Sequence, residues 1–212
     1  MSIAREGWPF IGSLLALALV LGLLRLPWPA GVCVALALFC AFFFRDPERV
    51  PPADPALVVS PADGKVVVVA PAPAANPLGP GAQQISIFLS IFDVHVNRSP
   101  VAGSIEKVEY HKGEFLPAFD DKASLRNEQT CVTIAGPAGR VAFKQIAGII
   151  ARRIVFKKRP GDVVERGERV GLIKFGSRVD VFLGPEWELQ VREGQKVKAG
   201  SSVLARRTET GG

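Results

Sequence analysis

Between Trp8 and Phe44 the chain carries one charge, Arg25, and the run is parted near its middle by Leu26-Pro27-Trp28-Pro29. So apolar a stretch must be buried in protein or lipid, and within lipid every backbone polar group has to be paired inside the segment itself. The two halves, 11–24 and 30–44, fall short of the ~20 residues that a helix perpendicular to a bilayer requires. They predict a helical hairpin that spans with snorkelling flanks or dips into one leaflet, with Trp8 and Trp28 near the interface. Arg5 ahead of an apolar core also fits a cleaved signal peptide, but the second apolar run argues against it. A hairpin returns the chain to its starting side, and Arg5, Arg45 and Arg49 place that side, with residues 45–212, in the cytoplasm at the cell membrane.

Beyond the hairpin (1–44) the chain changes character. Pro47, Pro51, Pro52 and Pro55 make 45–59 read as a stiff proline-rich linker, followed by a β-rich domain over 60–212. Short runs rich in β-branched residues, at 66–69, 85–89, 105–108, 132–134, 141–143, 170–173 and 179–182, predict strands separated by turns. Residues 71–81 are rich in Ala and Pro and read as an exposed loop. The stretch 145–153 is ambiguous, since Ile146, Ile149 and Ile150 fit helical spacing while the isoleucines and Val155 suit a strand equally.

Near the C-terminus a pattern repeats. Gly161-x-x-Val164-x-x-Gly167-x-x-Val170 returns as Gly194-x-x-Val197-x-x-Gly200-x-x-Val203, with Ser201-Ser202 directly after the second glycine. Val-x-x-Gly-x-x-Val puts a tight turn between two short strands, so the predicted fold is a mostly β, barrel-sandwich-like domain built from repeated hairpin units. A serine held on a bend after glycine suits attack of its oxygen on the preceding carbonyl. An ordinary hairpin turn fits the same spacing.

The formal charge is +6, and the hairpin contributes only Arg5, Arg25 and Glu6 to it, so the remainder is itself basic. Its densest cluster is Arg152, Arg153, Lys157, Lys158 and Arg159. A solvated face accounts for such a cluster, as does attraction to anionic lipid headgroups. Nucleic acid is not expected, because no aromatic-basic interleaving accompanies it. Cys33 and Cys40 lie in the apolar run and Cys131 stands alone, so no disulfide framework is visible. With only His95 and His111, no metal site is expected either.

Three segments carry chemistry: Ser60-Pro61-Ala62-Asp63-Gly64-Lys65, Phe92-Asp93-Val94-His95-Val96-Asn97-Arg98-Ser99-Pro100, and Ala199-Gly200-Ser201-Ser202. As residues alone, Pro-Ala-Asp-Gly is a turn formula and a strand histidine needs no catalytic explanation. If 93–97 is extended, Asp93, His95 and Asn97 share one face and Val94 and Val96 the other. The order and spacing of these segments go together with Phe44-Arg45-Asp46-Pro47, Tyr110-His111-Lys112-Gly113, Asn127-Glu128, Gln145-Ile146-Ala147-Gly148 and Ile173-Lys174-Phe175-Gly176-Ser177-Arg178. In that arrangement the chain resembles the phosphatidylserine decarboxylases of the short, membrane-associated type over nearly all of 44–205.

The resemblance implies a proenzyme that cuts itself between Gly200 and Ser201 into a large chain, 1–200, and a small one, 201–212. Ser201 would supply the attacking hydroxyl and become the covalent pyruvoyl prosthetic group. His95 would be the base, and Asp63 would orient and charge it. The pyruvoyl group would then take up the electrons released when phosphatidylserine in the membrane loses carbon dioxide and becomes phosphatidylethanolamine. Longer bacterial members carry Tyr-His-Arg-x-His-x-Pro. With Pro100 on its proline, His95 takes the first histidine position and Arg98 the second, so one base serves both cleavage and turnover unless Asp63, Asp93 or water assists. His111 substitutes only if the fold brings it close. One rival reading is a non-enzymatic, membrane-anchored adaptor with a biotinyl/lipoyl-like domain, which the repeat favours and the lack of a carrier lysine at a hairpin tip disfavours. Another is a pyruvoyl decarboxylase of a soluble amino acid, against which the membrane segment and basic cluster stand. A higher oligomer of the two-chain decarboxylase is compatible with the sequence.

Overall fold

A computed structural model of the chain describes residues 2–114, 126–148, 154–174 and 177–208. They fall into two compact units, Met1–Glu48 and Arg49–Gly212.

The first unit contains β1 (Ser2–Ile3), α1 (Trp8–Leu23), α2 (Pro27–Phe43) and β2 (Arg45–Asp46). Both helices start earlier than the apolar halves suggest. Pro9 and Pro27 sit at the first positions of their helices, where a missing N–H leaves no bond unmade. The prolines therefore open α2, and the break falls before them, at Leu24-Arg25-Leu26. There the Leu26 N–H donates to the Leu21 carbonyl at 2.9 Å and the Arg25 N–H to Gly22 at 3.0 Å, with Arg25 at φ +61°. This is a Schellman cap with arginine where glycine is usual. Ile11, Ala18, Cys33, Ala37 and Cys40 are buried, whereas Leu19, Leu23 and Leu38 are exposed. Small residues between the helices and leucines outside are consistent with membrane association, and Arg5–Leu23, 19 residues, is long and apolar enough to cross a bilayer. Antiparallel pairing of β1 with β2 brings the two ends of the hairpin together.

The second unit is mostly strand and loop among the described residues. Its strands are β3 (Leu57–Val59), β4 (Gly64–Pro71), β5 (Gln83–Leu89), β6 (Val96–Arg98), β7 (Gly103–His111), β8 (Gln129–Gly136), β9 (Gly139–Ala147), β10 (Ile154–Phe156), β11 (Val163–Val164), β12 (Arg169–Ile173), β13 (Ser177–Leu183), β14 (Trp187–Leu189), β15 (Lys196–Val197) and β16 (Val203–Arg207). The mostly β expectation holds, and all seven predicted runs lie within strands. Residues 145–147 continue β9 as strand, while 149–153, with Arg152 and Arg153, lie outside the described residues. The stretch read as a linker contributes the fully buried β3.

The strands form an antiparallel sheet in the order β11-β7-β8-β9-β13-β5-β4-β15, flanked by the three-stranded sheets β10-β12-β6 and β14-β16-β3. This order reads the same from either end once β3, β4, β5, β13, β14, β15, β16 are matched with β6 to β12. The domain is thus two similar halves, with the second (β6–β12) inserted between β5 and β13 of the first. Details repeat with the topology. Bulges fall between Val66 and Val68 in one half and between Ile105 and Lys107 in the other. The Ser60 hydroxyl donates to the Ala62 carbonyl at 2.6 Å, and that of Ser99 to Val101 at 2.7 Å. One core, which includes the fully buried Ile85, Ile87, Val132, Ile134, Phe143 and Val181, is shared by both halves. The repeat read in the sequence is the visible part of this duplication.

Candidate active site

The two repeated turns meet where the halves join. Gly167 has φ +78° and Gly200 φ +73°, both in the left-handed region that favours glycine. They are in contact: a Cβ on Gly200 would lie 3.5 Å from the Gly167 Cα, and one on Gly167 would lie 3.6 Å from the Gly200 carbonyl oxygen.

Around each turn the hydrogen bonds are the same but for one residue. In the inserted half the Gly167 N–H donates to Ser99 O and the Ser99 N–H to Glu168 O, each at 2.8 Å. In the other half the Gly200 N–H donates to Ser60 O and the Ser60 N–H to Ser202 O, again at 2.8 Å. Glycine and acceptor are adjacent in the first case and separated by Ser201 in the second. The pairing beyond confirms the offset: Arg169 opposes Arg98, and its counterpart Val203, rather than Ser202, opposes Val59. The structural equivalent of Val170 is accordingly Leu204, not the Val203 of the sequence pattern. Their carbonyls accept from Lys157 and Gln190 respectively. Ser201 is therefore an extra residue with no counterpart in the other turn. Its N–H and that of Ser202 both donate to Lys198 O, at 3.2 and 3.0 Å, and the Ser202 hydroxyl accepts from the Lys198 N–H at 2.9 Å. The Ser201 hydroxyl has a single long contact, 3.4 Å to Lys198 O.

Other departures from the duplication gather on the same segments. His95 stands where the first half has Ala56, each carbonyl accepting from the equivalent N–H of Ile173 or Arg207. Asn97 replaces Val58, Arg98 replaces Val59, and Asp63 replaces Ala102. Repeated halves need the same core residues, so polar side chains confined to one half are candidates for chemistry.

The Asp63 carboxylate is buried and holds the Ser201 turn. Its Oδ1 accepts from the Ala199 N–H at 2.7 Å, and its Oδ2 pairs with Arg49 Nη2 at 2.9 Å. These partners differ from the role the resemblance implies, which set Asp63 against the imidazole. Arg49 Nη1 is buried with no hydrogen-bond partner among the described residues. His95 is fully buried just before β6, with Nδ1 3.0 Å from the Asp93 carbonyl. A carbonyl only accepts, so this bond places the proton on Nδ1 and leaves Nε2 as the basic nitrogen of the neutral ring. Asp93 does not share a face with His95 and Asn97; it sits in a turn, where its Oδ2 accepts from the N–H and hydroxyl of Ser90. The Asn97 amide donates to Pro61 O at 3.3 Å and accepts from Gln145 at 2.8 Å, and the Arg98 N–H donates to Pro61 O at 2.9 Å. The Asp63 loop and the His95 strand are thereby fixed side by side. His111, by contrast, ends β7 opposite Gln129 and is exposed. Of the basic cluster, Lys158 is tied to Glu168 at 2.6 Å, a hydrogen bond that raises its pKa.

The model of the phosphatidylserine decarboxylase family matches residues 36–205. The chain belongs to the phosphatidylserine decarboxylase family. It is 57% identical over 203 residues to the phosphatidylserine decarboxylase proenzyme of Solibacter usitatus, covering 93% of this chain and 96% of that protein. The proenzyme of Symbiobacterium thermophilum is 48% identical over 206 residues, covering 96% and 95%. In this chain, sequence motifs pointed to Asp63, His95, Gly200 and Ser201. They missed Arg49 and the Ser60 clamp, and they gave Arg98 only as a departure. The repeat held a usable signal, since a serine following only one of two matched glycines marks the asymmetric turn.

Proposed function

We propose that this chain is the precursor of a pyruvoyl-dependent phosphatidylserine decarboxylase, which cuts itself between Gly200 and Ser201 and then converts phosphatidylserine to phosphatidylethanolamine. The observation that carries the reading is the extra residue. Ser201 is bulged from an otherwise duplicated turn, next to a glycine that has no side chain of its own to obstruct attack on its carbonyl. The turn is held from both sides by Ser60 and Asp63. Ser201 is the attacking hydroxyl, and the residues fit a group made in place from it. His95 Nε2 is the base and takes a proton, and Asp63, paired with Arg49, fixes the Ala199 N–H so that the Gly200 carbonyl keeps its orientation. The mature enzyme consists of chains 1–200 and 201–212, held together by the strand pairing of β16 with β3 and β14. When formed, the pyruvoyl group supplies an electron sink for carbon dioxide loss.

The hairpin 1–44 anchors the enzyme, 45–59 connects and lends Arg49 and β3 to the domain that follows, and 60–212 carries the catalytic residues. The positive charges of Arg5, Arg45 and Arg49 support a catalytic domain on the cytoplasmic face of the cell membrane. The test is the intact mass of purified, denatured protein, together with headgroup analysis of phosphatidylserine vesicles. Two chains that account for the loss of ammonia and uptake of water at Ser201, with phosphatidylethanolamine appearing, are expected. Active protein consisting of one unbroken 22.7 kDa chain would sink the reading.

A further inference from the structure

The Arg98 side chain lies over the residue whose bond is proposed to break. It is buried, with 4% exposure. Its Cδ would be 2.8 Å from a Cβ on Gly200, and its Nε 3.7 Å from that point. Nη1 donates to the Gly167 carbonyl at 2.9 Å. One side chain thus packs its stem on the Gly200 turn and anchors its cation to the twin turn. The equivalent position in the other half is Val59, which carries no charge.

We propose that Arg98 takes part in self-cleavage: its stem fixes Gly200, and its guanidinium balances the negative charge that forms on the Gly200 carbonyl and remains as the new carboxylate. This rests on the self-cleavage proposed above. In that reaction Ser201 Oγ bonds to the Gly200 carbonyl carbon while its proton goes to the base. The carbonyl oxygen carries negative charge until the amide nitrogen leaves with a proton, giving an ester. Loss of the Ser201 Cα proton then expels Oγ as the Gly200 carboxylate, and water replaces the nitrogen, which departs as ammonia. Gly200 is buried, and an unpaired carboxylate there would be costly. Arginine stays protonated through every step, so the charge is always present.

The test compares precursor half-lives of freshly translated wild type, Arg98→Met and Arg98→Lys, with and without hydroxylamine, which cleaves an ester at Gly200. Methionine keeps an unbranched stem over Gly200 and drops the charge; lysine keeps the charge. Maturation and hydroxylamine cleavage in Arg98→Met are expected to slow by roughly a hundredfold, as when one oxyanion donor is removed, and Arg98→Lys to recover most of the rate. Wild-type rates in Arg98→Met, or equal loss in the methionine and lysine variants, would overturn the role of charge. Should Arg98→Met fail to fold, Arg98→Lys decides alone, and a hundredfold loss there overturns it. A wild-type chain that stays whole defeats the self-cleavage reading itself, which separates the two failures.

Discussion

Asp63 Oδ1 accepts the Ala199 N–H at 2.7 Å across 136 positions of sequence, and this bond joins the loop that opens β4 to the turn carrying Ser201. Oδ2 is held by Arg49, so the carboxylate is fixed at both oxygens. A buried hydrogen bond to a charged acceptor contributes about 1.5–3 kcal/mol.

In an uncleavable Ser201→Ala background, Asp63→Ala is accordingly expected to lower stability by about 1.5–3 kcal/mol in urea unfolding. With Ser201 present it should lengthen the precursor half-life severalfold or more. Arg49→Met should produce a smaller form of both effects, because the Ala199 bond survives. Asp63→Ala maturing at the wild-type rate would remove the carboxylate from the cleavage machinery.

The two histidines provide a direct contrast. His95 is fully buried beside the Asp63 loop, whereas His111 is exposed at the end of β7. His95→Ala is expected to leave the precursor whole, and His111→Ala to mature within about twofold of wild type, as expected of a surface substitution. Gel separation of the two chains over time reads both outcomes, and a normal rate in His95→Ala would move the base elsewhere.

Deleting residues 1–48 should leave the compact unit 49–212 free of membranes yet able to cut itself, because Ser60, Asp63, His95 and Ser201 all lie within it. Turnover of phosphatidylserine in vesicles should fall, while a short-chain substrate in solution should be processed nearly as before. Flotation on a sucrose gradient measures the release. Truncated protein that still floats with vesicles at high salt would put the anchor in the second unit.

Cys131 supplies a pH test. Burial pushes its thiol up from 9.0 to about 11, with Lys144 opposing and Glu109 adding. A raised folded-state pKa means that stability is intact below pH 9 and is lost as pH climbs toward 11, since the unfolded chain releases the proton first. The loss amounts to about 2–3 kcal/mol at the upper end. Comparing unfolding midpoints of wild type and Cys131→Val between pH 8 and pH 11 isolates it. The wild type should lose stability relative to Cys131→Val as pH rises, and parallel curves would count against the shift.

What the sequence determined by itself was local. The apolar run dictated two helices because helical hydrogen bonds close within one turn, and runs of β-branched residues marked the strands because such side chains suit a pleated, half-buried surface. The glycine repeat and the Gly200-Ser201 pair were legible for the same reason. Even the misplacement of the helix break was local, since Pro27 and Pro29 read as breakers until their place in a first turn was known. Tertiary structure alone decided how the pieces meet. The insertion of one half between β5 and β13, the extra residue at Ser201, the Arg49–Asp63–Ala199 chain and the Arg98 stem over Gly200 all depend on contacts between residues far apart in sequence. No periodicity within a window encodes such contacts, because they arise only when a shared core brings two sets of strands into register.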